Sequence, residues 1–256
     1  MRQKINRDAE ILEFMEKFDL SHCAEEISEL LFVKDFEDAP HLPWDKVSYW
    51  LRLRQRLFSE YEGWFVSDLA RLFMAKICYD ISRPIENLVL KARAERAYAG
   101  NAYWIGCNLL AEHDKRSIKF FELAKGIYKE TYKGYSKNNS KHCTFLARAY
   151  AMLAMSTLRL EVPERIEDPH YLQQVNRVRD FVENASALTN RTLDRMANDP
   201  PERIAKFLSL WQNIGHILEE IQLEAYSKID HERCLCLETK TSELAQRVRQ
   251  FEHKTL

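Results

Sequence analysis

Three arginines at alternate positions are the residues of this sequence whose type and spacing most favour a chemical role. Arg52, Arg54 and Arg56 lie within a long apolar pattern that predicts a helix. Arg52 and Arg56 are one turn apart and share a face, whereas Arg54 lies roughly 160° from either around the helix. Guanidinium groups on a rigid helix present forked donors that match phosphate geometry, which favours an anion pocket. The alternative is a solvent-exposed flank in which Arg56 pairs with Glu60.

A second group of such side chains follows in the next long helical pattern, where Arg93 and Arg96 precede Tyr98. If the two helices pack antiparallel, this group joins the first arginines in one pocket. A phosphate monoester carries about −1.5 to −2 charges at neutral pH and forms strong charge-assisted hydrogen bonds with arginine. The residue types at these positions therefore predict the binding of an anion.

No arrangement of reactive side chains in the sequence indicates an enzyme or a metal centre. His231, Cys234 and Cys236 lie close together, but their spacing is not that of a structural zinc site and no second pair is near. His142 and Cys143 are adjacent in a predicted helix, so their side chains point about 100° apart and do not face each other as a base and a nucleophile. We expect a protein without enzymatic activity, metal or cofactor.

The composition is that of a globular, helical protein with balanced charge. The 256 residues include only 6 Gly and 7 Pro, fewer than half of average usage, and sandwiches or barrels need these residues for their tight turns. The 38 Lys and Arg against 39 Asp and Glu lack the basic excess of nucleic-acid-binding proteins. The sequence has no signal peptide and no apolar run of about 18 residues, so we expect a cytoplasmic protein that binds neither nucleic acid nor membranes.

Apolar residues recur at helical spacing along the whole chain and predict an all-α fold. No strand pattern competes, and no period of roughly 30 to 50 residues indicates a repeat array. Caps and breakers separate about nine helices joined by short loops, which favours antiparallel packing in a single domain. The predicted helices are 6–18, 21–36, 44–79, 85–112, 115–136, 140–160, 171–196, 204–229 and a more exposed 241–251.

Several segments resemble the 14-3-3 family of phosphoserine- and phosphothreonine-binding adaptors. Phe207-Leu208-Ser209-Leu210-Trp211 is similar to the Asn-Leu-Thr-Leu-Trp that ends the family's last-helix signature. Gly100-Asn101-Ala102-Tyr103 and Asp114-Lys115-Arg116-Ser117-Ile118 are similar to its Gly-Asp-Tyr-Tyr and Asp-Lys-Lys-Gly-Ile. Ile127-Tyr128-Lys129-Glu130-Thr131-Tyr132 and then Arg148 with Leu153–Ser156 are similar to its next two helices. Order and spacing agree over about residues 101–211 and more loosely over 6–64.

The resemblance implies which residues would hold a phosphate. With Trp64 aligned to the family's third-helix Trp, Arg54 takes the place of a phosphate-binding Lys, while Tyr61 takes the place of an Arg. For the family's Arg-Tyr pair two alignments remain open. Counting back from Asp114 places Trp104 and Ile105 at the pair, whereas an insertion places Arg96 at the Arg and Tyr98 one position out of step.

Further expectations follow from the resemblance. It implies a 14-3-3-like bundle over residues 1–226, a C-terminal tail over 227–256 with a short helix, and a homodimer that regulates or scaffolds phosphorylated client proteins. The family's two backbone-clasping Asn positions correspond to Ala154 and Phe207. The alternative function is a helical scaffold for unmodified peptides or partner helices. The expected phosphopeptide contacts are Arg54, Arg96, Tyr98, Arg52, Arg56 and an apolar wall from Leu208, and the expected dimer contacts are Phe14, Phe18, Ile27, Leu30 and Leu31.

Overall fold

A computed structural model of the protein describes residues 2–31, 46, 51, 65–134 and 140–255. Every regular element among these described residues is a helix and none is a strand, so the all-α prediction is confirmed. Two compact units divide the chain: a first unit, Met1–Asn108, and a second unit, Leu109–Leu256. Within the described residues the α-helices are α1 (Arg2–Glu16), α2 (Ala24–Leu31), α3 (Phe65–Ser82), α4 (Leu88–Ala111), α5 (Arg116–Gly134), α6 (Ser140–Leu160), α7 (Tyr171–Met196), α8 (Pro201–Lys228) and α9 (His231–Thr255).

The ends of α4 and the start of α5 follow from local chemistry. The side-chain oxygen of Asn87 accepts hydrogen bonds from the backbone N–H groups of Val89 (3.1 Å) and Leu90 (3.2 Å), which caps the first turn of α4. His113, just after α4, has a left-handed φ of 57°, the conformation that commonly ends a helix. Asp114 then caps α5, because its carboxylate accepts the backbone N–H of Arg116 at 2.8 Å.

The first unit is built around Phe14 of α1. Its ring lies 5.3 Å from the ring of Phe18, 5.6 Å from Phe73 on α3 and 6.4 Å from Tyr98 on α4. At one end of the α3–α4 pair the Asn101 side chain donates to the Arg71 carbonyl at 3.0 Å, and at the other end Lys91 donates to the Arg83 carbonyl. These two contacts show that α3 and α4 are antiparallel.

The side chains expected at a dimer interface are mostly buried in the first unit itself. Phe14, Phe18, Ile27 and Leu31 are each at most 4% exposed, and only Leu30 is half-buried. A partner could not contact the four buried side chains without opening this core, so their assignment to an interface is wrong. The homodimer itself stays a prediction.

The second unit surrounds α6, which is packed between α5, α7 and α8. Aromatic contacts join α6 to its neighbours. Tyr128 of α5 stacks on Phe145 with ring centres 5.5 Å apart, and the ring of Tyr150 lies 6.1 Å from that of Phe181 on α7. Every residue from Ala151 to Leu158 is buried. Since eight consecutive residues turn through more than two helical turns, α6 is covered on all sides over this stretch.

The C-terminal helix α9 is longer and better packed than predicted. A short, exposed helix was expected over 241–251, whereas α9 is 25 residues long and begins at His231. The Asp230 side chain caps its first turn by accepting a hydrogen bond from the backbone N–H of Arg233 at 3.2 Å. Its inner side chains are buried against neighbouring helices, and the ring of Phe251 packs edge-on against Trp211 at 5.8 Å. The buried side chains of α9 include Cys234, Leu237, Leu244, Val248 and Phe251.

Candidate ligand-binding face on helix α4

The three arginines at alternate positions fall on residues without a described placement. Arg52, Arg54 and Arg56 all lie outside the described residues, as does Tyr61. Their place in an anion pocket therefore remains a prediction. The candidate positions that can be located are Arg93, Arg96 and Tyr98 on α4, together with Leu208 on α8.

Helix α4 has one closed side and one open side. Residues on the closed side are buried in the core, whereas a line of side chains along the other side stays half-buried or exposed. At 100° per residue these unburied residues all lie within about 60° of one line along the helix. We call this line the α4 open face; it consists of Arg93, Arg96, Ala97, Gly100, Trp104, Cys107 and Asn108.

The two arginines of the α4 open face lack an acidic partner among the described residues. The Nε of Arg96 donates to the backbone carbonyl of Ala92, one turn earlier, at 3.1 Å. This contact orients the side chain along the helix and leaves the terminal guanidinium nitrogens available to a ligand. Arg93 lies three residues earlier on the same side and is exposed. Neither arginine is neutralised by a carboxylate in the described part of the chain, so the pair can attract an anion.

Gly100 and Trp104 continue the α4 open face beyond Arg96. A Cβ placed on Gly100 would meet no heavy atom of the surrounding described residues within 4 Å, so these residues leave the space above it open. Trp104 is 59% exposed, although its indole also makes an edge-on contact with the buried Tyr103 ring at 5.8 Å. From its N-terminal to its C-terminal end, the α4 open face therefore presents two cations, a position without a side chain at Gly100, and the large aromatic surface of Trp104.

Tyr98, predicted as a phosphate contact, does not share the face of Arg96. The two residues are two positions apart, which places them about 200° apart around the helix. Tyr98 is only 6% exposed, and its ring packs 5.5 Å from Tyr79. Burial raises the pKa of the Tyr98 phenol, and the nearby Asp80 raises this pKa further. A neutral phenol near a carboxylate, on the closed side of α4, does not fit a phosphate contact shared with Arg96.

Leu208 and the signature around it lie in the second unit. Leu208 is half-buried on α8, and Phe207 stacks on Trp211 with ring centres 5.8 Å apart. Trp211 is fully buried and its indole N–H donates to the Thr144 hydroxyl of α6 at 3.3 Å. The segment Phe207–Trp211 thus supplies a core anchor. Because Arg96 belongs to the first unit, the expected groove that combines it with Leu208 stays a prediction.

Cys234, near the start of α9, serves packing in the described structure. Cys234 is buried, and its thiol donates a weak hydrogen bond to the Ile229 carbonyl at 3.4 Å. Within the described residues, no group of three His, Cys, Asp or Glu side chains could hold a metal ion. The same part of the chain contains no helix long and apolar enough to cross a membrane.

The chain matches no protein-family model, no curated protein and no solved structure.

Trp104 is the functional candidate that sequence reasoning did not assign. In the sequence it appeared only as a residue that displaces an expected phosphate ligand. The signal that could have found it is its spacing: Arg96, Gly100 and Trp104 follow at intervals of four residues. This spacing places a cation, a residue without a side chain and an indole one above the other on a helix.

Proposed function

We propose that the protein is a phosphopeptide-binding adaptor, a divergent relative of the 14-3-3 family, and not an enzyme. It would bind phosphoserine or phosphothreonine in client proteins in the cytoplasm. The observation that carries this proposal is the guanidinium of Arg96, which lies on an open helix face without a carboxylate partner in the described structure. Arg93 adds a second cation on the same side.

The strength of such a site comes from charge-assisted hydrogen bonds. Each bond between a guanidinium and a phosphate is worth roughly 1.5–3 kcal/mol, so one or two arginines account for a clear preference for the phosphorylated form. Arg54, with Arg52 and Arg56, would complete the pocket under the motif resemblance. Leu208 would supply an apolar wall if the two units combine as that resemblance implies.

Matched phosphorylated and unphosphorylated peptide libraries, measured by fluorescence anisotropy, test this proposal. We expect tighter binding of the phosphorylated members, and Arg96→Glu should weaken that binding at least about tenfold, or roughly 1.4 kcal/mol. Lys17→Glu is the matched control, because Lys17 is also an exposed cation of the first unit but follows the end of α1 rather than belonging to α4. Arg54→Glu should act like Arg96→Glu. Equal effects of Arg96→Glu and Lys17→Glu would exclude Arg96 from the site.

A scaffold that binds unmodified peptides or partner helices is the second candidate, and the exposed indole of Trp104 favours it. Large apolar side chains left in water commonly mark protein interaction sites. Equal affinity for phosphorylated and unphosphorylated peptides would support the scaffold and contradict the adaptor.

The proposed adaptor would act as a homodimer, formed by the first two helices of one protomer against the third and fourth of its partner. With Phe14 and Phe18 in the core, the contact would have to use outer side chains such as Leu12, which is 41% exposed. Sedimentation at micromolar concentration should give a dimer. A monomer at that concentration would remove this part of the proposal.

A further inference from the structure

The α4 open face joins a cationic end to an apolar end at a fixed distance. Trp104 follows Arg96 by eight residues, so at a rise of 1.5 Å per residue the two lie about 12 Å apart along the helix axis. Gly100 lies midway, and a Cβ there would meet no heavy atom of the surrounding described residues within 4 Å. A ligand could therefore span from Arg96 to Trp104 without a protruding side chain between them.

The charges of this face restrict which ligand can lie on it. From Arg93 to Asn108 the α4 open face carries two arginines and no acidic residue. A basic side chain of a ligand would be repelled along this line, whereas a phosphate is attracted by Arg93 and Arg96. The indole of Trp104 offers an apolar surface, which favours an aromatic or aliphatic side chain of the ligand over a charged one.

The spacing between the two ends fixes a spacing in the ligand. An extended peptide advances about 3.3 Å per residue, so 12 Å corresponds to between three and four residues. Side chains alternate between the two faces of an extended chain, and only an even separation places two of them on the same side. Four residues is therefore the separation that lets a phosphate contact Arg96 while a second side chain contacts Trp104.

We propose that Trp104 is a specificity-determining contact, which receives an aromatic or long aliphatic side chain four residues away from the phosphorylated residue of an extended peptide. This inference rests on the proposed phosphopeptide binding. It adds a rule for ligand choice that phosphate recognition alone does not supply.

A spacing scan tests the rule directly. One phosphoserine is kept in a neutral background, and a single Phe is placed about two to six residues away on either side. Anisotropy measurements with the full chain should show the tightest binding at a separation of four residues on one side. The gain over the peptide with Ala at that position should be about tenfold.

Variants of Trp104 assign that gain to the indole. Trp104→Ala should lower affinity for the best Phe peptide about tenfold and for its Ala counterpart much less, while Trp104→Phe should retain most of the preference. Leu172→Ala is the matched control, because Leu172 is also an exposed apolar residue but lies on α7 of the second unit. Circular dichroism should show unchanged helix content in all three variants.

The outcomes separate this inference from the proposed function. If phosphopeptides bind but Phe gives no gain at any separation, or if the gain survives Trp104→Ala, the role of Trp104 is overturned and phosphate recognition stands. If no phosphorylated peptide binds better than its unphosphorylated form, both proposals fail.

Discussion

Helices α4 and α6 carry positions to which the motif resemblance assigns ligand contacts, but they are covered by their neighbours to very different extents. The α4 open face stays accessible from Arg93 to Asn108. Helix α6 is buried on all sides from Ala151 to Leu158, and Ala154, at a backbone-clasping position of the family, is fully buried. A position in a motif can contact a ligand only where the surrounding helices leave it open. Arg96 on the α4 open face meets this condition, whereas Ala154 does not.

The two helices also differ in how their polar groups are used. At the end of α6 the Lys228 ammonium donates to the carbonyls of Leu158 (3.2 Å) and Arg159 (3.0 Å). Arg159 itself binds the Glu224 carboxylate of α8, with Nε–Oε1 at 2.7 Å. These cations bind neighbouring elements of the second unit. On α4, by contrast, Arg93 and Arg96 bind no carboxylate among the described residues.

Truncation of a large side chain on each helix should give the largest difference between them. Leu153→Ala should lower the free energy of unfolding by about 2–5 kcal/mol, because Leu153 is fully buried and its loss leaves a cavity. Trp104→Ala should change the same quantity by less than about 1 kcal/mol, since the indole is 59% exposed. Urea unfolding followed by circular dichroism measures both values. Similar losses in the two variants would contradict the division into an open and a closed helix.

Introducing an Asn on α6 and on α4 should give a somewhat smaller difference in the free energy of unfolding. Ala154→Asn should cost about 2–3 kcal/mol, because it buries an amide and overfills a packed site. Ala97→Asn, on the α4 open face, should cost only the difference in helix propensity, less than about 0.7 kcal/mol. Both are read from urea unfolding. An Ala154→Asn variant as stable as the parent would mean that this position faces a groove, as it does in the family.

Secondary structure could be predicted well where the chain supplies clear breaks. The bounds of 140–160 and 171–196 agree with α6 and α7, because the sequence before Ser140 is polar and Pro163 and Pro169 lie between the two helices. The first ten residues of α9 were missed, since their apolar residues form one run over 234–237 without helical spacing and the cap depends on a single side chain, Asp230. The predicted helix over 44–79 falls in part on residues without described placement, and α3 begins at Phe65.

The site could be predicted only in part. Arg96 was identified from residue type, and helical geometry alone could have shown that Tyr98, two residues later, points the other way. Which side of α4 stays open could not be predicted, because that depends on the aromatic cluster around Phe14 from three helices. The same dependence on tertiary packing explains why Phe14 was assigned to a dimer rather than to the core.

Stability at alkaline pH should show that Tyr98 lies on the closed side of α4. Burial holds the pKa of Tyr98 above that of a free tyrosine, so its contribution to stability is full below about pH 10 and is lost as the pH rises further. Relative to Tyr98→Phe, which has no phenol to ionise, the parent should lose up to about 1.4 kcal/mol of stability per pH unit above pH 10. Unfolding measured across this range tests the expectation. Parallel pH profiles for the two proteins would indicate a solvated phenol and would restore Tyr98 as a candidate contact.

The smallest expected effect tests whether the α4 open face is open in solution. Glycine within a helix costs about 0.5–1 kcal/mol relative to alanine, and a Cβ on Gly100 would meet no heavy atom within 4 Å in the part of the chain that the structure describes. Gly100→Ala should therefore raise the free energy of unfolding by that amount, as should Gly126→Ala on α5, where the space is also open. The longer Gly100→Gln should then weaken phosphopeptide binding by filling the gap between Arg96 and Trp104, whereas Gly126→Gln should not. If Gly100→Ala instead destabilises the protein while Gly126→Ala stabilises it, another part of the chain covers Gly100, and α4, like α6, is closed on both sides.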